Sequence, residues 1–166
     1  MPRSIDVMVV DHSALAAEVT LFAVRRAAPD ASTLWLKSGD LALQYLSAVG
    51  EFRNRPGGMP ALILLELDLP ITSGLSVLDV IRAHPATSGL CVAILSHSCD
   101  PIVFQRGDMF DADAYIEKAS DHEEYCAQIE RLLARGLVQG RIQSQPHAHR
   151  PHAHRPMGKT MTTRVR

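Results

Sequence analysis

Thiols, long apolar runs and acidic residues near the C-terminal end are what this sequence has least of. Three cysteines (Cys91, Cys99 and Cys126) occur in 166 residues, with no CxxC or zinc-type spacing. That sets aside a disulfide framework and a zinc ribbon and leaves free, reduced thiols as the default. The longest apolar runs are strand-sized, so no segment is expected to span a bilayer. The opening Met-Pro-Arg-Ser-Ile-Asp lacks the apolar core of a secretion signal, which predicts a cytoplasmic protein. Residues 136–166 contain six basic residues and no acid. This leaves 11 of the 17 basic residues against all 18 acidic ones in 1–135, a net −7. An acidic body with a basic tail is the expected layout.

Hydrophobic residues make up 46% of the chain, enough to fill the core of one domain. Strand and helix patterns alternate along it. Ile5–Val10 reads as a first strand, and Ala14–Ala28 as a helix with Leu15, Val19, Phe22, Ala23 and Ala27 near helical spacing. Ser32–Leu36 follows as a strand and Asp40–Val49 as a helix bearing Leu41, Leu43, Tyr45 and Leu46. A Pro-Gly-Gly loop then leads to the apolar run Ala61-Leu-Ile-Leu-Leu-Glu66-Leu-Asp68-Leu-Pro70. A helix over Gly74–Ala83, a strand over Cys91–Ser96, a fourth helix over Pro101–Phe110 and a strand over Ala112–Glu117 come next. Ser120-Asp-His-Glu123 has the form of a capping box for a last helix ending near Ala134.

Such alternation predicts an α/β fold, a doubly wound five-stranded parallel sheet of flavodoxin-like (βα)5 type in strand order 2-1-3-4-5. The domain is expected to occupy 1–135. Residues 136–166, with a doubled His-Ala-His-Arg-Pro, bury too little apolar surface to offset ordering entropy and read as a disordered basic tail. His147, His149, His152 and His154 have paired spacing suited to Zn, Ni or Cu, although a drifting tandem duplication in a linker is the simpler account and the preferred one. No helix-turn-helix pattern follows residue 135, so no DNA-binding module and no direct transcriptional control are expected.

Parallel sheets collect chemistry at the carboxyl ends of their strands. Here that rule selects Asp11 and His12 after strand one, Glu66 and Asp68 after strand three, Ser96 after strand four and Lys118 after strand five. With these residues in order, 5–134 resembles a bacterial response-regulator receiver domain (the CheY-like superfamily). The phrasing of Ala61–Pro70 and of Asp100-Pro101 to Lys118 is most similar to single-domain regulators that partner bacterial phytochromes.

The resemblance implies a pocket in which two acids after strand one and an aspartate after strand three hold Mg²⁺. That aspartate accepts a phosphoryl group, which a hydroxyl after strand four and a lysine after strand five then bind. Carried onto this chain, Asp11 matches the first acid, Ser96 the hydroxyl, Lys118 the lysine and Tyr115 the switch aromatic. His12 stands where the second acid belongs, and Glu66 stands at the phosphoacceptor. Asp68 takes a position that contributes only its backbone carbonyl to the metal. Ala119 follows Lys118 where the family has proline.

Glutamate carries its carboxylate outward by about 1.5 Å relative to aspartate. Errors of that size in phosphoryl transfer cost on the order of 100-fold. An imidazole in place of a carboxylate weakens Mg²⁺ binding further. The expectation is an atypical receiver whose degenerate site does not autophosphorylate and binds Mg weakly or not at all. Glu66 then either imitates a phosphoryl group partway, through Ser96 and Lys118, or simply pairs with Lys118.

Ile102, Val103 and Phe104 place apolar side chains on the fourth helix. They suggest a docking surface, or a homodimer through the fourth helix, fifth strand and fifth helix, the face the family commonly uses. The expected function is protein–protein interaction in two-component phosphorelay signalling, with a sensor histidine kinase (a bacteriophytochrome among the candidates) or a downstream protein as partner. It would have no enzymatic turnover. The alternatives are a conventional phosphorylatable receiver and, more remotely, a carboxylate-dependent phosphohydrolase built on Glu66-x-Asp68.

Overall fold

Five parallel strands, β1 (Val7–Val10), β2 (Thr33–Leu36), β3 (Leu62–Glu66), β4 (Cys91–Ser96) and β5 (Ala114–Glu117), form one sheet in the order β2-β1-β3-β4-β5. The computed structural model describes residues 5–97, 111–118 and 121–143, with side chains as far as 135. The helix expected over 101–110 with Ile102, Val103 and Phe104, the Ala119 position, and the tail beyond residue 143 lie outside the described residues.

Successive residues of the central strands point to opposite faces, and each face has its own core. Val7 and Val9 of β1 with Leu62 and Leu64 of β3 pack against α1 (Ala14–Ala27) and α4 (His122–Gln143). Met8, Val10, Ile63 and Leu65 pack against α2 (Gly39–Ser47) and α3 (Gly74–Ala83) on the other side. β1, β3 and β4 are buried along their whole length, as expected for strands covered on both faces. Each buried Val, Leu or Ile contributes about 1.5–3 kcal/mol.

Three local expectations are corrected. The buried stripe of α1 is Ala17, Thr20, Leu21, Ala23 and Val24, whereas Leu15 and Phe22 are exposed. Thr20 can face the core because its hydroxyl donates to the Ala16 carbonyl at 3.0 Å and meets the Tyr125 hydroxyl at 2.7 Å. Of the residues that the spacing picked, Ala23 is buried and Val19 packs against the core, while Leu15, Phe22 and Ala27 face outward, and the Phe22 ring lies 5.9 Å from that of His122. The N-terminal hydrogen bonds of α4 go to Asp121, whose Oδ1 accepts from the Glu123 and Glu124 backbone N–H at 2.9 and 3.2 Å. Ser120 is outside the described residues. Finally, α4 does not end near Ala134 but continues to Gln143.

The β3–α3 connection sets the shape of the carboxyl edge. Ile71 has φ 70°, a left-handed conformation unfavourable for a β-branched residue, and is 99% exposed. The Thr72 N–H reaches the Pro70 carbonyl at 2.8 Å, closing a three-residue turn around it. At the start of α3, Gly74 donates to the Leu67 carbonyl at 2.9 Å. A Cβ on Gly74 would stand 2.2 Å from the Glu66 carbonyl oxygen, so only glycine lets α3 begin so close to the end of β3.

Candidate functional site

At the end of β1, Asp11 is anchored at every polar point. Its backbone N–H donates to the Leu36 carbonyl at 3.0 Å, and its carbonyl accepts from the Trp35 indole at 2.9 Å. Its Oδ1 accepts from the Ser13 N–H at 2.8 Å. That bond turns the chain so that Ser13 can cap α1, its Oγ accepting from Ala16 N–H at 3.3 Å.

Glu66 ends β3 with its Oε1 accepting from the Asp68 N–H at 3.0 Å. Lys118 follows β5, and its backbone N–H donates to the Ser96 carbonyl at 2.7 Å, tying it to the end of β4. From there its ammonium reaches across the sheet. It donates to Asp11 Oδ2 at 2.6 Å and to Glu66 Oε2. The side chains of Asp11, Glu66 and Lys118 are 0, 1 and 6% exposed, so the network is out of water.

The strand-end rule thus brings Asp11, Glu66, Ser96 and Lys118 to one place from four strands. It does not bring in His12 or Asp68, whose side chains are exposed. Tyr115 lies half-buried on β5, and burial raises its phenol above the usual range. Behind the pocket, Tyr125 is pushed up to about 12. Burial is the main cause and the Asp11 and Glu66 charges add to it, against the lowering effect of the Thr20 hydrogen bond.

Chemically, the pocket is one base between two acids. The Mg²⁺ site that the receiver resemblance implies does not fit this donor set. A hard dication takes about six oxygen ligands. Here one oxygen of each carboxylate already carries the lysine and the other a backbone N–H, and His12 offers nitrogen and points outward. Among the described residues, no group of three or more His, Cys, Asp or Glu is placed to hold a metal ion.

Sequence reasoning missed four supporting residues. Trp35 on the edge strand fixes the Asp11 carbonyl, Ser13 fixes its carboxylate, and Tyr125 with Thr20 forms the polar floor nearby. The Asp11-x-Ser13 spacing before a helix was a signal for Ser13. Nothing local marked the other three.

No family model matches the chain. The DNA-binding response regulator MtrA of Mycobacterium leprae is 33% identical over 129 residues, covering 78% of this chain and 51% of MtrA. The chain thus spans about half the length of the curated relatives of this kind. The crystal structure of the phosphorylated cyanobacterial phytochrome response regulator RcpA superposes with a TM-score of 0.73 at 22% identity, over 82% of this chain and 96% of that one. The bacteriophytochrome response regulator AtBRR superposes with a TM-score of 0.65 at 26% identity, over 78% and 94%. The strand order and these likenesses give the globular part of the chain the receiver-domain fold of response regulators, with response regulators among its curated relatives and phytochrome-associated regulators among its structural neighbours.

Proposed function

We propose that this chain works in two-component signalling as a receiver that acts through protein–protein contact and does not itself take up a phosphoryl group. The observation that carries the reading is the buried bridge from Lys118 to both Glu66 and Asp11. A carboxylate nucleophile must present an oxygen to the incoming phosphorus. Both oxygens of Glu66 are engaged, one by Asp68 N–H and one by Lys118. The longer side chain adds a displacement of about 1.5 Å, and phosphoryl transfer gains its rate from positioning and charge neutralisation.

In this reading Glu66 is a permanent partner for the lysine that a phosphoryl group would otherwise engage. It carries about one negative charge against roughly two for a phosphoryl group, so the resemblance to a modified state is partial. The domain of residues 1–135 would then offer a fixed surface to a sensor histidine kinase or a downstream protein in the cytoplasm, followed by the basic segment 136–166. The names of RcpA and AtBRR favour a phytochrome-linked pathway.

The test is incubation of the full chain with a small phosphodonor and Mg²⁺, followed by intact-mass measurement. An unchanged mass is expected. A stoichiometric gain of about 80 Da, one added phosphoryl group, would make this a conventional receiver.

A further inference from the structure

We infer that Lys118 is the resident cation of the pocket: its ammonium takes the position between Asp11 and Glu66 that a divalent ion would otherwise hold, so that the folded domain is independent of divalent metal. This deepens the proposed function and rests on its reading of the pocket as closed to phosphoryl transfer.

Three observations carry it. First, the ammonium contacts one oxygen of each acid, Oδ2 of Asp11 and Oε2 of Glu66, the bridging arrangement expected of a shared counter-ion. Second, the remaining oxygen of each carboxylate is held by a backbone N–H, from Ser13 at 2.8 Å and from Asp68 at 3.0 Å. Those bonds aim each side chain at the lysine and fix the distance between the two acids. Third, among the described residues no buried side-chain nitrogen or oxygen lacks a hydrogen-bond partner. The pocket is complete with an ammonium in it.

Glu66 is what makes the substitution possible. Its extra methylene brings Oε2 to the ammonium while Asp11 Oδ2 is in contact, so one lysine serves both acids. A dication entering the same space would meet a fixed positive charge within a few ångströms and would have to break a buried bond to each carboxylate. Removing that charge should therefore expose two pre-aimed carboxylates and create a divalent site where the natural chain has none.

The experiment titrates MgCl₂ from zero to 20 mM into the full chain and into its Lys118→Met variant. Thermal midpoint and the emission of Trp35, the sole tryptophan, whose indole N–H rests on the Asp11 carbonyl, are both recorded. The natural chain should show no saturable response. The variant should gain about 4 °C at 10 mM Mg²⁺, the shift expected for a site of roughly millimolar affinity, with a parallel change in Trp35 emission. Should Lys118→Met fail to fold, Lys118→Gln keeps an N–H donor toward the carboxylates, and the same titration decides.

A saturable stabilisation of the natural chain by Mg²⁺ overturns the inference, and so does a folded variant that ignores the metal. The two readings fail separately. Metal binding by a natural chain that gains no phosphoryl mass removes this one alone, whereas phosphoryl uptake removes the proposed function.

Discussion

Neutralising Lys118 and neutralising Glu66 should have very unequal effects on stability, because the pocket holds two acids and one base. In Lys118→Met an apolar chain of similar length leaves Asp11 and Glu66 close together with no cation, both essentially out of water. Removing one partner of a buried ion pair costs about 3–5 kcal/mol, most of it from the charge left behind. In Glu66→Gln the Lys118–Asp11 pair survives as one charge against one. The new amide oxygen still accepts from either Lys118 or Asp68 N–H, so the loss is one hydrogen bond, about 1–2 kcal/mol. Urea unfolding followed by circular dichroism at pH 7 separates the cases. With a slope of about 1–3 kcal/mol per M, the midpoint should fall by roughly 2 M for Lys118→Met and by less than about 1 M for Glu66→Gln. Equal losses, or a larger one for Glu66→Gln, would refute the charge accounting of the pocket.

Three further outcomes are expected. Gly74→Ala should lower the thermal midpoint by an amount equivalent to about 1–3 kcal/mol, because the new Cβ meets the backbone of Glu66 and Leu67 at 2.2 and 2.9 Å; ordinary helix propensity predicts stabilisation instead, so the sign alone decides. Alkaline pH should destabilise the fold in two overlapping steps. Cys91 and Tyr125 are held neutral with values raised from 9.0 to about 11 and from 10.0 to about 12, so their contribution is complete below the lower value of each pair and lost on passing the upper one. Thermal melts from pH 8 to 12 should show this, with the loss above pH 10 smaller in Tyr125→Phe than in the natural chain. Lastly, Glu66→Asp combined with His12→Asp should take up phosphoryl from a small donor with Mg²⁺, measured as intact mass, while each single variant stays silent; uptake by Glu66→Asp alone would show that His12 is no obstacle.

The sheet was legible from sequence where burial is two-sided. β3 and β4 appeared at their observed ends because runs such as Leu62–Leu65 and Val92–Leu95 leave no polar face to misread. The site was legible for a related reason: strand ends are easy to find, and the sheet order brings Asp11, Glu66 and Lys118 together whatever the helices do. Helix faces were harder. Thr20 is polar by composition but satisfied inside by Ala16 and Tyr125, a partner 105 residues away that no local pattern reveals. The end of α4 was misplaced because Gly136 and Gly140 lower helix propensity, yet the helix runs through both to Gln143. The exposure of His12 and Asp68 was equally invisible, since neighbouring strand-end positions differ only in which way the backbone turns after Asp11 and Glu66.

The strand order has a consequence for how the domain assembles. Asp11 and Glu66 lie on strands that pair directly, whereas Lys118 arrives on the edge strand, 52 residues after the nearer acid. A folding intermediate with β1 and β3 joined but β5 still loose must bring two carboxylates together without their base. Such a half-built sheet is penalised until the C-terminal part of the chain docks. The lysine therefore couples the two ends of the domain, favouring all-or-none folding over gradual accretion from the N-terminus.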